Sequence, residues 1–344
     1  MLLKRLILSV AMVGVLGTAA FVAREVEPPG SRMASAASAF LAALEPEQKS
    51  RAVFTFDDKE RFRWFFTPQQ AMRKSTRKGL PLADMTDAQK DAARNLLRAG
   101  TSEAGFAKAT TVMSLESILA DLEKKGAIVR DPAWYFFSVF GNPTRTGRWG
   151  WRVEGHHLSL NFTVEGGQVV SATPFFLGSN PAEVRGGAKK GLVPLPETIK
   201  PYRDLVDSLG DDQRKLARQA KLFPEIEEGK QRTSVGEPVG IPAAKLADEQ
   251  KKVLWKLIEG YAQRMPSEVA MYELDEIRKA DMDTVHFAYA QDESRPGKPY
   301  SYRVQGPTFV IEFLNEQGDS AGNPANHIHS SWRNRKGDFG LARP

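Results

Sequence analysis

From residue 134 onward, hydrophobic and polar positions alternate in short runs divided by turn residues. The runs 134–140, 149–153, 156–164 and 169–176 read as strands, since a period of two turns one apolar face toward a core. Glu165-Gly166-Gly167-Gln168 between two of them predicts a tight hairpin. Strand-like runs return at 285–290, 300–304, 308–314 and 327–332. Elsewhere the apolar spacing is helical: 86–99, 102–124, 201–221 and 244–264, with a short segment through Phe40-Leu41 to Leu44. Thr86 or Thr101 is placed to cap a helix start. Phe54-Thr55-Phe56 reads as an extended edge, and Pro28-Pro29-Gly30-Ser31 suits a flexible lead-in. Helices, strands, helices, strands is the order of an α+β fold.

That order predicts an internal repeat. Trp149-Gly150-Trp151-Arg152-Val153-Glu154-Gly155 aligns without a gap to Tyr300-Ser301-Tyr302-Arg303-Val304-Gln305-Gly306. Beyond it Leu158, Leu160 and Phe162 match Phe309, Ile311 and Phe313 in phase. Four helix starts place an apolar residue four positions before Gln-Lys or Gln-Arg: Leu44, Met85, Leu209 and Leu246. The expected organisation is a first helix/strand unit at 37–191 and a second at 192–344, packed about a pseudo-twofold axis.

Composition narrows the chemistry. The chain has 344 residues, 41% hydrophobic and 26% charged, which suits a globular fold. It has no cysteine, which excludes disulfides, thiolate metal sites, iron–sulfur clusters and a cysteine nucleophile. The basic start Met1–Arg5, the 18 uncharged residues Leu6 to Ala23 and the small residues ending at Ala20 read as an export signal at 1–20. An uncleaved anchor is the alternative. A periplasmic or secreted protein is expected, with residues 21–36 as its flexible lead-in. Removing Lys4 and Arg5 leaves a net charge of only +4, with both signs scattered. No basic stripe or module points to nucleic acid, and no membrane contact is expected beyond the N-terminal segment.

The five histidines all fall in or beside predicted strands. In Gly155-His156-His157-Leu158, strand alternation sends His157 to the polar side with Ser159 and Asn161, and His156 to the apolar side. In Asn326-His327-Ile328-His329, both histidines share a face. If the polar faces of the two units meet, His157, His327 and His329 come together with Glu312. Three imidazoles and a carboxylate suit zinc, copper or iron. Glu312 would be a fourth ligand or general base, and Asp338 would orient a histidine or serve as base. A polar pocket without metal and purely structural roles are the other readings of these histidines. Glu116 could be a buried carboxylate on its helix, although a surface position is commoner. Trp134, Trp149, Trp151 and Trp332 suit a core, with a ligand pocket as the alternative. No nucleophile elbow, dinucleotide loop or phosphate loop occurs.

Several of these motifs together resemble the bacterial family catalogued as domain of unknown function 3500. They are Asp57-Asp58 through Arg61 and Trp64, Ser114-Leu115-Glu116, Trp149-Gly150-Trp151-Arg152 through Gly155-His156-His157-Leu158, Thr173-Pro174, and His327-Ile328-His329 through Asp338-Phe339-Gly340. The resemblance spans about residues 37 to 341 and implies relatives without implying a reaction. The expectation is an exported metal-dependent enzyme, hydrolytic or oxidative, with its histidine-rich site between two units. The alternative is a non-catalytic binding protein for a small polar or carbohydrate-like ligand; a third reading is an envelope-associated interaction domain.

Overall fold

The alternating runs become one large sheet whose two faces meet different neighbours. The computed structural model describes residues 27–124 and 126–341, so the expected signal or anchor at 1–20 lies outside the described residues. In chain order the first elements are α1 (Pro29–Ala42), α2 (Pro46–Ala52), β1 (Val53–Phe54), β2 (Gln70–Ala71), β3 (Lys74–Ser75), β4 (Leu80–Pro81), α3 (Asp87–Ala99) and α4 (Glu103–Leu122). The strands β5 (Phe136–Phe140), β6 (Arg148–Gly155), β7 (Leu158–Glu165), β8 (Gln168–Ser171) and β9 (Phe175–Leu177) follow. Then come α5 (Pro196–Ser208), α6 (Asp211–Ala217), β10 (Ile241–Pro242), α7 (Asp248–Ala262) and α8 (Ser267–Lys279). The chain closes with β11 (His286–Gln291), β12 (Tyr300–Gln305), β13 (Phe309–Gln317) and β14 (His327–Asn334). The fold is α+β, as the element order implied.

Across the sheet the strands run β1-β5-β6-β7-β9-β14-β13-β12-β11-β10, with β4 also on β5 and β8 also on β7. Among the described strands, β1 and β5 alone pair in parallel. One face carries Trp149, Trp151, Val153, Leu158, Leu160 and Phe162 from the first strand group. Tyr302, Val304, Phe309, Ile311, Phe313 and Trp332 continue it in the second, and all pack with the helices into the main core. The other face is polar along most of its width: Arg152, Glu154, Ser159, Asn161, Arg303, Glu312, His329, Ser331 and Arg333 are all buried there. A smaller apolar cluster, with Trp64, Phe66, Phe176 and Leu314, breaks that polar surface. Burying so many polar groups demands partners. Two stretches without long elements, 55–79 and 218–240, cover this face and supply them.

The repeated Gln-Lys and Gln-Arg helix starts have a structural use. Gln48 and Gln89 exchange amide hydrogen bonds at 3.0 and 2.8 Å, and Gln213 and Gln250 do the same at 2.8 and 2.9 Å. Each glutamine Oε1 also accepts from a backbone N–H at its own helix start, satisfying a donor the helix leaves free. These amide pairs lock neighbouring helix starts together in both parts of the chain.

Several expectations need correction. The stretch read as a flexible lead-in is helical from Pro29, with Met33, Ala37 and Phe40 fully buried. Proline at the first helical position needs no N–H donor, so Pro28-Pro29 starts a helix here instead of preventing one. The helix expected at 201–221 begins at Pro196 and breaks at Leu209-Gly210 into α5 and α6. α8 was not foreseen. Ser102, not Thr101, caps α4, accepting from Gly105 N at 2.9 Å. The first expectation for Trp149, Trp151 and Trp332 holds: all three are buried in the core.

Candidate metal centre

β9 is the seam of the sheet. It pairs with β7 on one side and β14 on the other, through Leu158↔Leu177 and Ser331↔Phe176. Past its end, Ser179 and Ile328 continue the ladder. The start of β7 and the start of β14 therefore lie one strand apart. His156 and His157 occupy the two-residue turn between β6 and β7, because Gly155 already pairs with Leu158. They are not strand residues, as alternation suggested. His157 sits at φ +61, a left-handed backbone costly for a residue with a Cβ. Two backbone bonds hold it there: its N–H donates to the Phe66 carbonyl at 2.9 Å, and its own carbonyl accepts from Gly178 N at 2.8 Å.

Gly178 explains how the ring crosses the seam. A Cβ at this position would stand 3.0 Å from His157 Cδ2 and 2.7 Å from the Ile328 carbonyl oxygen. Without one, the imidazole lies over the glycine and reaches β14. His327 and His329, at i and i+2 of β14, meet it there. His157 Nε2 is 2.7 Å from His327 Nε2 and 3.2 Å from His329 Nε2. One ligand atom from each of the three lies within 4.8 Å of the others. His157 and His329 are buried, and His327 is partly open.

The outer nitrogens decide what the inner ones offer. His329 Nδ1 is 2.8 Å from a Glu225 carboxylate oxygen, so Nδ1 carries the proton and donates it. Its Nε2 then points a bare lone pair inward. His327 makes a backbone hydrogen bond to Gly318. Burial, reinforced by the charge of His329, pushes His327 down to about 2. Burial and the facing charges of His156, His327 and His329 hold His157 well below the ordinary histidine range. The lowered His157 and His327 rings, with their nitrogens turned toward His329, form a pocket suited to a cation. A tetrahedral ion held at ~2.0–2.1 Å from each nitrogen would set them about 3.3 Å apart; His157 to His329 is at 3.2 Å, while His157 to His327, at 2.7 Å, would have to open to admit it.

Residues 27–341 match the model of a family described as Protein of unknown function (DUF3500). The chain belongs to that family. No curated protein and no solved structure matches it. The Gly-His-His-Leu and His-Ile-His motifs of this DUF3500 chain are therefore the two sequence segments that supply its convergent imidazoles.

The structure places the other expected residues as follows. Glu312 is buried on the polar face, but it meets Arg303 at 3.3 Å, and it is not in the group of ligand atoms around the histidines. In the β13–β14 register it stands opposite Ser331, two residues beyond His329. Burial raises its carboxyl above the usual range against the opposing pull of Arg303 and Arg333. Asp338 accepts from Arg333 Nε at 2.6 Å and from Asn334 N at 3.0 Å. The carboxylate that orients a site histidine is Glu225, which sequence reading missed. It lies in the coil between α6 and β10, where no periodicity or motif marks it.

His156 stacks on His157 with ring centroids 3.8 Å apart. Its Nδ1 meets the Glu116 carboxylate, and Arg130 Nη1 stands 3.0 Å away. Glu116 is buried, so the less common of its two expected settings holds. Arg130 is fixed by Glu123 at 2.8 Å, and Glu123 also accepts from Ser320. Burial outweighs the pull of Glu116 and lowers His156 as well. This row of contacts holds His156 stacked against the His157 ring.

Proposed function

We propose that the chain is a metal-dependent enzyme whose mononuclear site is held by His157, His327 and His329. The observation that carries this reading is the convergence of three Nε2 atoms, one of them fixed as a lone-pair donor by Glu225. Three protein ligands leave a coordination position for water or substrate, as in catalytic sites; structural zinc sites have four. Zinc there would activate water or polarise a carbonyl, and copper or iron would exchange electrons. Glu225 keeps His329 in the donating tautomer, and the Glu116–His156 stack holds His157 over Gly178. Export is part of the proposal and is supported by the basic, apolar, small-residue order of the first 20 positions.

Elemental analysis of untagged protein, offered zinc, copper and iron in turn, tests this reading. About one ion per chain is expected in the wild type and none in a His327→Ala/His329→Ala variant. A wild type that stays metal-free with all three metals rejects it.

A further inference from the structure

Glu225 has a second neighbour besides His329. It lines a cavity of about 350 Å³ with Glu227, Thr233, Val235, Arg303, Glu312 and Arg333. That volume lies within the range of small-molecule sites. Its floor is the polar sheet face next to the histidines: Arg303, Glu312 and Ser331 stand opposite one another across β12, β13 and β14. Ser331 is two residues from His329, so floor and metal centre are about 7 Å apart along the strand.

The floor is not satisfied by the protein. Arg303 is only 8% exposed, yet its Nε has no hydrogen-bond partner. Its remaining contacts are long, 3.3 Å to Glu312 and 3.4 Å to the Val235 carbonyl. The Arg303 guanidinium lines the cavity and stacks over the Phe223 ring at 4.5 Å, and with only long hydrogen bonds to the protein it can donate a shorter one to a ligand oxygen.

Charge selects the kind of ligand. Three carboxylates, Glu225, Glu227 and Glu312, line the cavity against two guanidiniums, and Arg333 is already paired with Asp338. An anionic ligand would face the carboxylates, and a cationic one would face Arg303. A neutral molecule with adjacent hydroxyls fits both: one oxygen accepts from the Arg303 guanidinium while a neighbouring hydroxyl donates to Glu312. We infer that this cavity binds a neutral vicinal polyol, a sugar or sugar alcohol, beside the histidine centre. Its role as the substrate pocket rests on the metal reading above; the binding itself does not.

Saturation-transfer NMR on the full chain tests it, with methyl α-D-glucopyranoside and D-mannitol as probes and succinate and choline as charged controls. Transfer to at least one of the two polyols and to neither control is expected. Arg303→Gln should weaken that binding at least tenfold. Val235→Phe, which fills the cavity and leaves every ionised group in place, should do the same. The His327→Ala/His329→Ala variant should still bind the polyol, so a protein that proves metal-free but binds it loses only the metal reading. No transfer to either polyol overturns the inference. So does a preference for succinate, binding undiminished in both cavity variants, or binding lost with the two histidines.

Discussion

Arg152 on β6 and Arg303 on β12 stand at corresponding places in two three-stranded groups, and their surroundings differ. Arg152 is closed in. It donates to the carbonyls of Glu60 and Arg63 at 2.9 and 2.8 Å, ion-pairs with Glu60 at 2.8 Å, and lies 3.3 Å from Glu154. Glu154 in turn meets Arg77 at 3.2 Å. The covering segment 55–79 thus fits tightly over the first group. Arg303 sits under 218–240 with long contacts and open space beside it, and although Nε lacks a hydrogen-bond partner in both arginines, only that of Arg152 has a second carboxylate, Glu154, at 3.3 Å. The same residue type on matching strands is structural in one place and available in the other. Space for a ligand arises where the cover fits loosely, and that place adjoins the histidines.

The largest expected effect comes from the closed side. Arg152→Ala leaves the buried Glu154 and the partly buried Glu60 short of a cation and should cost about 3–5 kcal/mol in denaturant unfolding. Arg303→Ala should cost roughly half of that or less, because its contacts are long and burial already holds the Glu312 carboxyl above its usual range. Equal losses would break the contrast.

A second prediction separates the two kinds of buried carboxylate. Glu154 is flanked by two arginines, whereas burial and the charge of Glu276 push Glu273 on α8 up to about 7. The unfolded chain releases this proton near pH 4.5, its ordinary value, and the folded protein holds it until about 7. Between those values the unfolded state binds fewer protons, so the contribution of Glu273 to stability falls as pH rises. Glu273→Gln should therefore add on the order of 2–3 kcal/mol above pH 7 and nothing below about pH 4. Thermal unfolding across that range reads it, and a gain independent of pH would contradict the account.

The smallest effect concerns which carboxylate serves the centre. Glu225→Gln should weaken metal binding about 10- to 100-fold in a competition titration, because the amide no longer anchors the His329 proton. Asp338→Asn should lower stability through Arg333 and leave metal affinity unchanged. The reverse pattern would return the orienting role to Asp338.

Much of the sheet was readable because its strands have one face in the main core and one polar face, which imposes a strict period of two. His327 and His329 were paired correctly for that reason. His157 reached the expected polar side by another route, a left-handed turn position and a glycine across the seam, which alternation does not encode. α8 escaped notice because charged residues are frequent in its sequence and one of its buried positions, Glu273 beside Val269, Ala270, Leu274 and Ile277, is itself a carboxylate that breaks the apolar period. Glu225 and the cavity were unreadable: they depend on where an aperiodic cover lies against a sheet, and no local pattern specifies that.

The central claim is that three imidazoles from two distant segments form one cation site. Anomalous diffraction from a crystal of the full chain soaked in zinc chloride tests it most directly. A single strong peak about 2.0–2.1 Å from Nε2 of His157, His327 and His329 is predicted. The absence of density between these rings, with zinc bound only elsewhere on the surface, would contradict it.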